Sequence, residues 1–194
     1  MNPEAATLKL AVFPRSGFLT DVLLVLAGTG FVAVAAQVKI SLSFTPVPIT
    51  GQTFAVVLVG ASLGALLGLA SLGLYLFVGA LGAPIYAEGQ GGWDVLTGPT
   101  GGYIVGFCCA AALVGWMAQQ RWDRRFNSAV AAMLTGNVVI YLFGLPWLAR
   151  EIGTGLEGTL EAGLYPFVVG DILKLYLAAA LLPSAWKLVE RLRG

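Results

Sequence analysis

Long apolar runs separated by short polar breaks dominate the chain. Stretches 21–36, 53–70, 72–86, 101–118, 129–148 and 164–183 are each mostly apolar. A helix of about 20 such residues spans a hydrocarbon core of about 30 Å. The pattern therefore predicts an all-α integral membrane protein, a bundle of six transmembrane helices. The second and third runs are the least distinct. No charge falls between Phe54 and Ala87, and one helix of that length would be about 50 Å long at 1.5 Å per residue, too long for one crossing. A break near Ser71-Leu72-Gly73 is expected there.

The placement of charge gives an orientation. With six helices and both termini cytoplasmic, Lys9, Arg15, Arg121, Arg124, Arg125, Lys187, Arg191 and Arg193 lie inside, and only Lys39 and Arg150 lie outside. Eight against two satisfies the positive-inside rule; five helices with an outer N-terminus give seven against three. The expected organisation is one membrane-embedded domain over 1–194. It has an N-terminal cytoplasmic segment at 1–20, a substrate-binding bundle at 21–186 and a cytoplasmic tail at 187–194. Run 21–36, preceded by Lys9 and Arg15 and containing Ala33-Val34-Ala35, has some look of a signal peptide. The charge pattern favours a retained first helix.

Composition sharpens the class. Hydrophobic residues make up 58% of the 194 and charged residues 11%, against about 25% charged in soluble domains. Mean hydropathy is +0.84. A net charge of +1 gives no reason to expect a nucleic-acid partner. With no His and only the adjacent pair Cys108-Cys109, no metal site and no disulfide are expected. No Gly-Lys-Ser/Thr phosphate loop and no nucleophile motif occur, so neither ATP, another cofactor nor an enzymatic activity is expected.

Candidate chemistry concentrates in a few positions. Asp171 and Lys174 stand inside the sixth run, where each charge costs at least about 2.5–3.5 kcal/mol at mid-depth. Their spacing of three puts them on one helix face, about 8 and 12 Å from Pro166 along the axis. Such a pair serves a polar ligand or braces the bundle. Asn137, mid-span, either meets a ligand or joins two helices. Gln52 sits at the outer mouth of the second helix. Phe44, Tyr86, Trp93 and Tyr103 lie in or beside the outer loops, where they could wall a pocket. Trp116, Trp122, Trp147 and Trp186 fit an interfacial belt. Thr100 is placed to cap the fourth helix. The last outer loop, 150–163, reads as acidic and mobile. Small residues four apart, Thr29 with Ala33 and Gly60, Gly64 and Gly68 in series, mark close helix approaches. They favour internal packing, with the Thr29–Ala33 face the candidate for docking a partner.

Three segments carry a resemblance. They are Phe44-Thr45-Pro46-Val47-Pro48-Ile49-Thr50-Gly51-Gln52-Thr53, Gly98-Pro99-Thr100-Gly101-Gly102-Tyr103, and Asp171-Ile172-Leu173-Lys174 in the last helix. With them the chain, from 21 to 186, resembles the BioY family, the biotin-specific S components of energy-coupling factor transporters. The resemblance implies six transmembrane helices, a biotin pocket near the outer surface, and contact of Asp171 and Lys174 with the vitamin. It also implies a first outer loop, with Thr45, Pro46, Pro48 and Thr50, that gates the pocket. A scaffold membrane protein and two ABC-type ATPases would be the partners, in a bacterial plasma membrane. Tyr103, Gly101, Gln52, Asn137 and Tyr86 complete the candidate binding set, and the amides at 101–103 are a candidate seat for the ligand carboxylate, since helix N-termini favour anions. Some family members carry a polar group for that carboxylate near the outer end of the third helix; here Pro84-Ile85-Tyr86-Ala87-Glu88 supplies no cation. The rival readings are capture of another vitamin, an intramembrane enzyme using Asp171 as base, and a purely structural bundle.

Overall fold

The computed structural model describes residues 7–15 and 17–193. Parts of the expected 1–20 segment and the end of the 187–194 tail lie outside the described residues. Nine α-helices are present among those described: α1 Leu8–Val12, α2 Phe18–Gln37, α3 Gln52–Leu63, α4 Ala65–Ala80, α5 Trp93–Thr97, α6 Gly101–Gln119, α7 Phe126–Ile152, α8 Leu156–Gly163 and α9 Tyr165–Arg193. Four of them, α2, α6, α7 and α9, are long and apolar enough to cross a membrane, while α3 and α4 are shorter apolar helices. The molecule is an all-helical membrane protein apart from one small hairpin. Its outward-facing residues bear this out: Leu23, Phe31, Val34, Leu142 and Leu177 are large, apolar and exposed, as lipid-facing positions are.

Helix α6 is the hub. Two-thirds (67%) of its spanning window is buried, against 22% for α2. It packs against α3, α4 and α7. Small residues make the contacts close. A methyl added at Gly60 would lie 2.4 Å from the Ala111 carbonyl, and one at Gly115 would lie 2.5 Å from the Ala65 nitrogen.

The break in the second apolar stretch falls at Gly64, not at Ser71–Gly73. Gly64 adopts φ +87°, a left-handed value that glycine adopts without steric cost. The chain reverses there in a single residue, so that α3 and α4 form an antiparallel pair packed on α6. Ser71 is instead a helix-packing residue: its carbonyl accepts from the Thr29 hydroxyl at 2.8 Å, and its Oγ fills the space beside Gly28. The Thr29–Ala33 stripe thus faces α4 and the core, with Ala33 packed on the main apolar cluster. Both residues are half-buried, and the contact they make here is internal.

Three other expectations change. Residues 156–163, expected to be a mobile loop, form α8, with Gly163 against the Tyr103 hydroxyl. Thr100 occupies the N-cap position of α6, but its side chain makes no capping bond. Trp186 is only 4% exposed, so it is no belt residue. Its indole N–H donates to Asp123 Oδ2 at 2.5 Å, and the Arg124 guanidinium lies 3.5 Å over its ring. This cluster ties the α6–α7 connection to α9. Burial pushes the Asp123 carboxyl above its ordinary value; the Trp186 hydrogen bond and the Arg124 charge pull it partly back.

Candidate functional site

The loops between α2 and α3 and between α4 and α6 are built, not merely connecting. Strands β1 (Lys39–Ile40) and β2 (Ile49–Thr50) pair antiparallel with Lys39 opposite Thr50. The prolines at 46 and 48 lie in the loop between them, where they cannot remove a ladder hydrogen bond. Thr45 donates its hydroxyl to the Ala162 carbonyl of α8 at 2.6 Å. On the other side, Gln37 donates to the Tyr86 carbonyl at 3.1 Å and accepts from the Gly89 amide at 3.1 Å. Glu88 holds φ +66° in this turn. Lys39 Nζ and Ser41 Oγ both reach Glu88 Oε1, at 2.9 and 2.7 Å. Those bonds, that of Lys39 first, hold the Glu88 carboxyl below its ordinary value.

Beneath these loops lies a cavity of about 680 Å³, bounded by the β1–β2 loop, the 86–100 segment, and residues of α3, α6, α7 and α9. This is the size and concavity of a small-molecule site. Asp171 and Lys174 both line it. Asp171 is 6% exposed, and Lys174 Nζ lies 3.0 Å from its Oδ1. Thr53 donates to the same oxygen at 3.2 Å and accepts from Lys174 at 3.3 Å. The Tyr141 hydroxyl donates to Asp171 Oδ2 in a short hydrogen bond. Both carboxylate oxygens are therefore held, one from α3 and α9, the other from α7. A buried charge pair needs such additional bonds to offset its desolvation. The cluster offers a ligand a negative acceptor and a positive donor side by side, beside the apolar walls of Ile104, Phe107, Ile140 and Phe167.

The other expected site residues divide. Tyr86, Tyr103, Gln52, Thr45, Pro46, Pro48 and Thr50 line the cavity. Several have their polar atoms already engaged. Gln52 donates to the Tyr75 hydroxyl at 2.8 Å and accepts from Thr50 at 2.8 Å. The Tyr86 hydroxyl donates to the Leu76 carbonyl and that of Tyr103 to Gly163. The two tyrosine hydroxyls have thus used their single donor, while the Gln52 amide keeps a second N–H. Gly101, Asn137, Phe44 and Trp93 are not lining residues. Gly101 is packed against the Leu96 carbonyl and Trp147. Asn137 is buried one helical turn below Tyr141, with its Oδ1 unpartnered among the described residues. Thr53 and Tyr141 were absent from the sequence-based set. A hydroxyl next to Gln52 and a tyrosine in an apolar helix carry no distinguishing signal until their partner is known.

Comparison with known proteins gives the family and the fold. The model of the BioY family matches residues 4–191. The chain is 34% identical over 157 residues to the biotin transporter BioY of Rhizobium etli, covering 77% of this chain and 83% of that protein. It is 35% identical over 164 residues to the biotin transporter BioY of Thermotoga maritima, covering 84% and 94%. Among solved structures, the S-component for biotin from an ECF-type ABC transporter superposes with a TM-score of 0.76 at 25% identity, covering 87% of this chain and 92% of that one.

Proposed function

The chain belongs to the BioY family, and from that premise we propose that it captures biotin at the outer membrane face and carries it inward as the substrate-binding subunit of an energy-coupling factor importer. The observation that carries this reading is the Asp171–Lys174 pair held by Thr53 and Tyr141 at the wall of a cavity of vitamin size. A ureido ring presents two N–H donors and one carbonyl acceptor. Asp171 accepts from the N–H groups while Lys174 donates to the carbonyl, both as charge-assisted bonds, roughly twice as strong as neutral ones. The bicyclic ring lies against the apolar side chains of α6 and α7.

In this reading six segments cross the plasma membrane, α3 and α4 acting as two short crossings, with both termini cytoplasmic. The Gly64 turn supports it: the reversal is immediate, so α3 and α4 run in opposite directions. The protein performs no covalent chemistry. Energy comes from a scaffold membrane protein with two ABC-type ATPases, which fits the lack of a phosphate loop in the sequence.

Equilibrium binding to the detergent-purified protein tests the proposal. Biotin should bind tightly and resist competition by excess thiamine or riboflavin. Displacement by either vitamin, or no biotin binding by a folded preparation, would contradict it.

A further inference from the structure

Biotin carries a carboxylate tail, and the cavity is poorly charged to receive it. Among the described residues its lining includes three carboxylates, Glu88, Asp94 and Asp171, but one cation, Lys174. Lys174 is committed to Asp171. With the ureido ring on that pair, the tail points toward the mouth, where Glu88 and Asp94 would repel it. The start of α6 is a weak alternative seat: the Gly101 amide already donates to the Gly98 carbonyl at 3.1 Å, and Gly101 and Gly102 are packed under Leu96, Trp147 and Phe143. Arg150, in the last turn of α7, does not line the cavity.

Lys39 is differently placed. It is not a lining residue, but its ammonium bonds a carboxylate that is. Its side chain is 37% exposed and that of Glu88 35%, so the pair is wet and opens at little cost. Neither residue depends on the other for its position. The pairing of β1 with β2 fixes Lys39, and the Gln37 clamp fixes the Glu88 turn.

We propose that Lys39 recognises the carboxylate of the ligand, leaving Glu88 for it when biotin enters. Glu88 keeps the ammonium at the mouth while the cavity is empty, and its bond from Ser41 remains to it afterwards. This inference rests on the biotin reading above. It makes the mouth, rather than the buried pair, the place where the acid is told from an uncharged analogue.

Affinities of the full-length protein for biotin and for biotin methyl ester test it. Wild type should prefer the acid. Lys39→Met should weaken acid binding on the order of tenfold, the scale of a lost charge-assisted bond, and leave the ester within about twofold. Lys39→Arg should keep the preference. Glu88→Gln should tighten acid binding several-fold, and Lys39→Met added to it should abolish that gain. Ester affinity doubles as the check on folding. Equal weakening of both compounds in Lys39→Met would overturn the inference, making the contact a loop clamp. Equal affinity of wild type for both compounds would also overturn it, with the biotin reading intact. Wild type binding neither compound would overturn the biotin reading and this inference together.

Discussion

Asp171 and Asp123 are both buried carboxylates, 6% and 1% exposed, and α9 passes both. Asp171 is on that helix; Asp123 takes a hydrogen bond from its Trp186. Their surroundings differ in kind. Asp171 faces a cavity, and its partners are an ammonium and two hydroxyls that can turn toward a ligand. Asp123 does not line that cavity; an indole N–H with fixed direction meets it, and the Arg124 guanidinium stacks on that indole. Burial of a charge therefore does not mark a ligand site. Adjacent space and adaptable donors are what set Asp171 apart. The cavity end of the bundle has room for a second partner at its carboxylate, and the Asp123 end does not.

The sharpest way to break this contrast is Asp171→Asn. In the proposed reading Asp171 accepts from the ligand, so biotin affinity should fall at least about 100-fold, roughly 2.7 kcal/mol, as read by titration of the folded variant. The second effect belongs to the other end. Trp186→Phe leaves Asp123 without its indole donor and should cost about 1–3 kcal/mol of stability, seen as a lower melting midpoint in detergent, with biotin affinity unchanged. If Trp186→Phe weakened binding as much as Asp171→Asn, the division between the two ends would be wrong.

Smaller changes sharpen the cavity end. Tyr141→Phe removes the donor to Asp171 Oδ2 and should weaken biotin binding about tenfold. Thr53→Val loses weaker, longer bonds and should cost a few-fold by the same titration. The smallest effect is one of pH. Burial raises the Asp123 carboxyl in the folded protein, so the fold holds that proton more tightly than the unfolded chain. Its contribution to stability is greatest below the ordinary carboxyl value and is lost as pH rises through the raised one. Asp123→Asn should flatten the melting curve's dependence on pH across that window and leave biotin binding alone.

How much of this was legible in the sequence follows from what each feature depends on. Asp171 and Lys174 were legible because charge inside an apolar run is costly wherever it falls. The 37–53 loop was legible as an extended, ordered segment because its two prolines constrain the backbone locally. The turn at Gly64 was not, since Gly64 and Gly73 look alike in an apolar stretch. Contact with α6 distinguishes them: Gly64 lies against Gly115, whereas a methyl at Gly73 would meet nothing within 4 Å. Trp186 looked like an interfacial residue because nothing local announces a buried aspartate 63 positions away. Thr53 and Tyr141 stayed hidden for the same reason, being defined by a partner on another helix.

Binding and melting measured together on the wild type, Asp171→Asn and Trp186→Phe proteins test the central claim most directly. The account predicts that Asp171→Asn abolishes tight biotin binding while the protein still folds. It also predicts that Trp186→Phe melts earlier and binds biotin as the wild type does. Undiminished biotin binding by folded Asp171→Asn would contradict it.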